Sequence, residues 1–253
     1  MTKVNVYGKN GKVKESMNLP TYFNTPYRPD LIRKNFNVLH SNKRAPYGVS
    51  LLAGRQHATA SVGKGRGASR VPRLTQGNRA ALAPCVVGGR RAHPPRADRV
   101  WKEKINKKEK KLAQASAIAA ISSKDIVKGR GHQFNEEVTL PIILDDECET
   151  ISKTKDIIAI FKEIGIYDDI IRSTNGKHIR AGKGKLRGRK YKTPKSVLLV
   201  SNSESLQKSV MNLSGVDTTT PIDLNIEHLA PGGDAGRLTV ITKSALEQIG
   251  GRY

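Results

Sequence analysis

Ser196-Val-Leu-Leu-Val-Ser201 decides the fold. Four contiguous apolar residues between small polar ends have strand length, and a run without alternation reads as a strand buried on both faces. Working outward, Ser203 to Met211 has helical spacing and Val216 to Thr220 reads as the next strand. Ile222 to Leu229 is a helix or loop, Leu238 to Thr242 a last strand, and Lys243 to Ile249 a short final helix. Upstream, Val138 to Leu144 is apolar, β-branched and stopped by Asp145-Asp-Glu147. Thr154 to Ile164 follows as a helix with Ile157, Ile158, Phe161 and Ile164 inward, then a shorter one from Tyr167 to Arg172. Strand and helix alternate. That pattern implies right-handed crossovers and an α/β fold: an open, mostly parallel sheet covered by helices.

The N-terminal half adds a hairpin and two helices. Lys3-Val-Asn-Val-Tyr7 alternates, Asn10-Gly11 is a turn signal, and Val13 to Leu19 is the return strand. Pro29 and Asp30 open a helix that carries Leu31, Ile32, Phe36, Val38 and Leu39 to about Lys43. Asn106 to Ser122 is Ala-rich and strongly helical, with Leu112, Ala115, Ile118, Ala119 and Ser122 on one face.

Charge divides the chain. Leu31 to Ala97 holds 67 residues, no Asp or Glu, and 13 Lys or Arg, ten of them Arg. Ile170 to Ser203 holds 34 residues, no acid, and 10 Lys or Arg. Outside both runs 22 basic and 22 acidic residues balance, so the whole net charge of +23 lies in two segments. From Arg44 to Ala97 eight Gly and five Pro break any period. The organisation expected is one α/β domain over 1–253, interrupted by a long basic loop at 44–98 extending from the globular body and a basic loop at 173–195.

Such clustering makes nucleic acid the expected partner. Lys and Arg neutralise phosphates and release counterions without reading bases, and Arg adds stacking and bidentate contacts. A chain this polar cannot bury itself, so the runs are expected to fold along RNA, which supplies charge and surface. Gly- and Pro-rich runs do not suit a membrane-surface helix, and no apolar run is long enough to span a bilayer. No secretory signal opens the chain, and the lone Cys85 and Cys148 fit a reducing cytosol. Regular DNA readers such as a helix-turn-helix are absent.

Catalytic signals fail one by one. Gly63-Lys-Gly-Arg-Gly67 has its third Gly too early for a dinucleotide loop, and Gly176 to Lys183 has the wrong spacing for a P-loop. His40, His57, His93, His132, His178 and His228 have no ligand spacing and read as surface or RNA-contacting side chains. Asp145, Asp146 and Glu147 read as a solvated turn in preference to a metal site. No catalytic residue, cofactor or protein-held metal is expected; Mg²⁺ would be held by RNA.

The basic runs also carry a resemblance. Gly63-Lys-Gly-Arg66, Arg70-Val-Pro-Arg73, Val87-Gly-Gly-Arg-Arg-Ala-His-Pro-Pro95 and Lys110-Lys-Leu-Ala-Gln-Ala-Ser-Ala-Ile-Ala-Ala-Ile121 resemble ribosomal protein four of the large subunit, in its archaeal form. So do Tyr27-Arg-Pro-Asp30, Pro46 to Gly54, Gly184-Lys-Leu-Arg-Gly-Arg189, Leu229-Ala-Pro-Gly-Gly233 and Gly236-Arg-Leu238, in order along nearly the whole chain. The resemblance implies a cytoplasmic, structural constituent of the large subunit that supports rRNA folding and assembly. It also implies that the long loop reaches and narrows the peptide exit tunnel. Expected partners are large-subunit rRNA, neighbouring ribosomal proteins and the nascent polypeptide, with no membrane and no homo-oligomer. The residues expected on rRNA are Arg44, Arg55, Lys64, Arg66, Arg70, Arg73, Arg79, Arg90, Arg91, His93 and Arg96 in the first run. In the second they are Lys177, Arg180, Lys183, Lys185, Arg187, Arg189 and Lys190. The tunnel-facing tip is expected at Arg66, Ser69, Arg70, Arg73, Asn78 and Cys85. The alternatives are an RNA-modifying enzyme with an α/β core and basic arms, and a DNA-compacting protein.

Overall fold

A computed structural model describes residues 3–251. The chain divides into two compact units: the chain up to His40 and from Lys104 onward, and Ser41–Glu103. In chain order the strands are β1 (Lys3–Tyr7), β2 (Val13–Asn18), β3 (Thr59–Ala60), β4 (Arg73–Leu74), β5 (Ile142–Leu144), β6 (His178–Ile179), β7 (Tyr191–Lys192), β8 (Leu198–Val200), β9 (Asp217–Thr219) and β10 (Thr239–Thr242). The helices are α1 (Pro29–Asn42), α2 (Lys107–Ile121), α3 (Lys124–Gly129), α4 (Thr154–Ile164), α5 (Tyr167–Asn175), α6 (Glu204–Met211), α7 (Ile226–Leu229) and α8 (Lys243–Gly250).

The first unit is built on a six-stranded sheet in the order β2-β1-β5-β10-β8-β9. The β1–β2 hairpin is antiparallel, and every other neighbouring pair is parallel. The sheet is therefore mixed but mostly parallel, as the alternating pattern predicts. Period two then sorts side chains to opposite faces. Ile143, Leu198, Val200 and Ile241 enter one core with Ile32, Ala117, Ile118, Ile226 and Leu246. Ile142, Leu144, Leu199 and Val240 enter the other with Ile157, Phe161, Ile170 and Leu206. Each of the fully buried Val, Leu, Ile and Phe side chains contributes about 1.5–3 kcal/mol.

Several boundaries and faces differ from the sequence reading. β5 is shorter than Val138–Leu144; Pro141 has no N–H to give a ladder, and pairing starts after it. In α4, Ile160 takes the buried position expected of Ile158. In α2 burial is not confined to the expected face: Ile118 and Ala119 of that face are buried, but Leu112 is 54% exposed, and Ala113, Gln114, Ser116, Ala117, Ala120 and Ile121 are buried as well. Small side chains let this helix be enclosed on several sides, against Thr21–Asn24, α3 and α7.

One buried cation ties the sheet's far edge together. Arg237, fully buried before β10, donates from Nε to the Ser196 carbonyl (2.9 Å) and from its Nη atoms to those of His228 (3.1 Å) and Val197 (3.3 Å). Its charge meets Asp217 Oδ2 at 2.7 Å. A lone buried guanidinium would be prohibitively costly; this one has a carboxylate and several carbonyls. No helix among the described residues is long and apolar enough to cross a membrane.

Candidate nucleic-acid interface

Within Ser41–Glu103 the backbone doubles back on itself. Val49 N–H donates to the Pro95 carbonyl at 3.1 Å. The two tracks run so close that a Cβ on Gly48 would stand 2.5 Å from Ala97 N, and one on Gly54 2.8 Å from Arg90 Cα. Further out β3 and β4 form a two-residue antiparallel ladder. Beyond that ladder a Cβ added at Gly63, Gly65 or Gly67 would meet nothing within 4 Å. Ala81 is the one buried apolar residue that this unit contributes among those described.

The expected contact residues fall along this doubled track. Arg55, Arg90, Arg91, His93 and Arg96 line a cavity of about 370 Å³. Lys64, Arg66, Ser69 and Arg70 are exposed at the turn between β3 and β4. Arg73 sits on β4, half-buried, and donates from Nη1 to the Asn78 carbonyl at 2.7 Å. Asn78, Arg79 and Cys85 are exposed. Arg79 lies over Gly88, where a Cβ would meet its Nη2 at 2.6 Å. Leu82 has φ +64°, the one left-handed residue other than glycine among the described residues, in a tight turn closed by Ala83 N–H on the Ala81 carbonyl.

A feature missed in the sequence is Trp101. Arg44 lies 4.8 Å from its ring centroid and Arg99 5.6 Å, and Tyr47 packs at 5.1 Å. Cation–π contact holds two guanidiniums on one aromatic platform. The available signal is a lone Trp between Arg99 and Lys102.

The second run belongs to the other unit. Its β6 and β7 pair antiparallel, with a 3₁₀ turn at Lys183–Leu186 between them. Lys177 and Lys190 flank the Tyr191 ring at 5.1 and 5.5 Å. Arg180 is half-buried and donates from Nε to the Arg189 carbonyl at 3.3 Å. Lys183, Lys185, Arg187 and Arg189 are exposed. With no carboxylate in either run, these cations have none to satisfy them from within it. Their arrangement suits binding and neutralising a polyanion.

Two other candidates resolve differently. His132 is not a surface histidine. It is buried, with Nδ1 3.0 Å from Asp169 Oδ2, while Asp169 Oδ1 accepts from Gln133 N–H and Arg172 Nε. Burial pushes the imidazole pKa down despite Asp169. Burial alone would raise Asp169, but hydrogen bonds from His132 and Arg172 outweigh it and hold the carboxyl at about 2. Asp145 accepts from Asp146 N–H and pairs with Lys14, which also holds Glu147. Among the described residues no group of three or more His, Cys, Asp or Glu could hold a metal.

Comparison with known proteins gives a consistent result. Residues 17–252 match the model of the ribosomal protein L4/L1 family. The chain is 51% identical to large ribosomal subunit protein uL4 of Methanococcoides burtonii over 254 residues, covering all of both chains. It is 48% identical to uL4 of Methanocaldococcus jannaschii, with 99% of each chain covered. With uL4 of Methanosphaera stadtmanae it shares 46% identity over 99% of this chain and 97% of the relative.

Proposed function

The chain belongs to the ribosomal protein L4/L1 family, and from that premise we propose that it serves as a structural constituent of the large ribosomal subunit, in the cytoplasm, and performs no catalysis. In this reading Ser41–Glu103 and the β6–β7 hairpin bind large-subunit rRNA and support its folding and assembly beside neighbouring ribosomal proteins. The observation that carries it is the pairing of dense positive charge with a near absence of core. Ser41–Glu103 contributes a single buried apolar residue, too little to offset about 1–2 kcal/mol of backbone entropy per ordered residue. RNA would supply both the missing surface and the counter-charge.

The test replaces residues 50–95 by a short Gly/Ser linker and compares rRNA binding with the full chain over a salt series. Each phosphate contact contributes about 0.7–0.9 to the log–log slope. A slope several units shallower supports the reading; an unchanged slope removes this segment from it. The finer part concerns the turn at Arg66, Ser69 and Arg70, with Arg73, Asn78 and Cys85 behind it. We assign this turn to the wall of the peptide exit tunnel, where it would face the nascent polypeptide. Reversing charge at Arg66 and Arg73 should alter the transit of acidic and basic nascent segments; identical elongation profiles would refute that placement.

A further inference from the structure

Beside the β6–β7 hairpin the first unit carries a second basic feature. A cleft of about 700 Å³ is lined by Arg130, His132, Arg172, Lys192, Lys195 and Gly232, among others. Its carboxylates are already engaged. Asp169 holds His132 and Arg172. Asp217 holds Arg237 at 2.7 Å and Lys195 at 2.8 Å. Asp234, the carboxylate on the cleft wall itself, holds Arg33 at 3.0 Å.

Arg130 is the cation left over. It follows α3 and donates from Nη2 to the Pro231 carbonyl at 2.6 Å. Its Nη1 is buried with no hydrogen-bond partner. A buried charged donor left unpaired costs more than a neutral one. Burial depresses the guanidinium pKa, and the positive charges of Arg237 and Arg172 depress it further. The cleft is thus short of negative charge, and Arg130 Nη1 is short of an acceptor. At the open position where a Cβ on Gly232 would stand, nothing lies within 4 Å. Lys192 is the last residue of β7, so the cleft continues the basic hairpin along the chain.

We propose that this cleft receives one backbone phosphate of RNA, with Arg130 as its anchor and Lys192 at its entrance. The inference rests on the RNA-binding reading above and adds a site to it. A tetrahedral phosphate offers oxygens to a guanidinium and an ammonium at once, and Arg is suited to a planar two-pronged contact. Continuity with the hairpin favours a phosphodiester of RNA over free phosphate.

The experiment uses the full chain with Arg130→Met and, separately, Lys192→Ala, each titrated with a large-subunit rRNA fragment over a salt series. Inorganic phosphate is titrated alongside. Each variant should make the slope shallower by about 0.7–0.9 and weaken binding several-fold at moderate salt. The melting temperature of free Arg130→Met should not fall, because a desolvated, repelled charge has been removed; a merely structural arginine would lower it. Wild-type slopes for both variants, with wild-type RNA binding intact, would overturn the cleft and leave the RNA reading standing. Saturable phosphate binding that Arg130→Met abolishes, with an unchanged RNA slope, would assign the cleft to free phosphate and overturn the RNA site. Failure of the unaltered chain to bind rRNA would sink the functional reading itself. Arg130→Lys, which keeps the charge but not the two-pronged contact, decides the question where Arg130→Met does not fold: weakened RNA binding supports the cleft, and wild-type binding overturns it.

Discussion

His132 and Asp169 show how one buried pair sets the protein's response to acid. Folded His132 stays neutral below the ordinary imidazole value of 6.5, because burial disfavours its charge. The unfolded chain takes up that proton first, so stability falls as pH drops through the ordinary value of 6.5. Asp169 behaves in the same sense at lower pH. Its folded pKa of about 2 lies below the ordinary 3.8, and the stability it contributes is lost as pH falls from about 4 towards 2. The urea midpoint is therefore expected to decline in two windows. His132→Gln should flatten the upper one relative to wild type; equal slopes just below pH 6.5 would contradict the assignment. None of this could be read from sequence. Asp169 looks like an acid favouring the N-terminal end of a helix dipole, and nothing announces a histidine 37 residues earlier against it. The surface cations were legible, because a run without acids needs no knowledge of neighbours. Arg130 and Trp101 were not: their roles exist only after folding supplies a Pro231 carbonyl or an Arg44 guanidinium.

At the scale of elements, α2 separates propensity from packing. Its Ala content predicts a helix with near-correct ends, Lys107–Ile121 against an expected 106–122. Burial exceeds the expected face because a periodic stripe presumes burial on one side only. Here the C-terminal half is enclosed and the Lys-rich half is exposed, so Leu112 at the junction points outward. Two substitutions test this enclosure in the free protein. Ala117→Leu, at a fully buried position, should overpack the site and cost about 1–3 kcal/mol. Leu112→Ala should change stability by less than about 0.5 kcal/mol, as surface changes do. Chemical denaturation of both variants decides it; comparable losses would mean that Leu112 is a core residue after all. The parallel strands were legible as continuous apolar runs. Their order was not, because insertion of β10 between β5 and β8 is chosen by packing on both faces and leaves no local mark.

On the scale of the whole chain, stability and clustered charge are distributed to different segments. The first unit holds two apolar cores, one on each face of its sheet. Ser41–Glu103 holds Arg, Gly and Pro, and its backbone bonds are few and mostly solvent-facing. Local opening free energy follows buried apolar contact, so the two should differ sharply in resistance to attack. Limited digestion of the free protein with trypsin is expected to cut first between Arg44 and Arg99, then between Lys177 and Lys192. The sheet and its helices should persist as associated fragments. Bound rRNA should protect both segments together, since it shields the Lys and Arg side chains that trypsin must reach. Early cleavage within α4 or α6 in the free protein would mean that the sheet does not hold on its own. Protection of only the β6–β7 hairpin by RNA would confine recognition to the first unit. The expected pattern follows from one physical constraint: residues that neutralise phosphate cannot also form an apolar core, so the segments richest in charge depend on a partner for order.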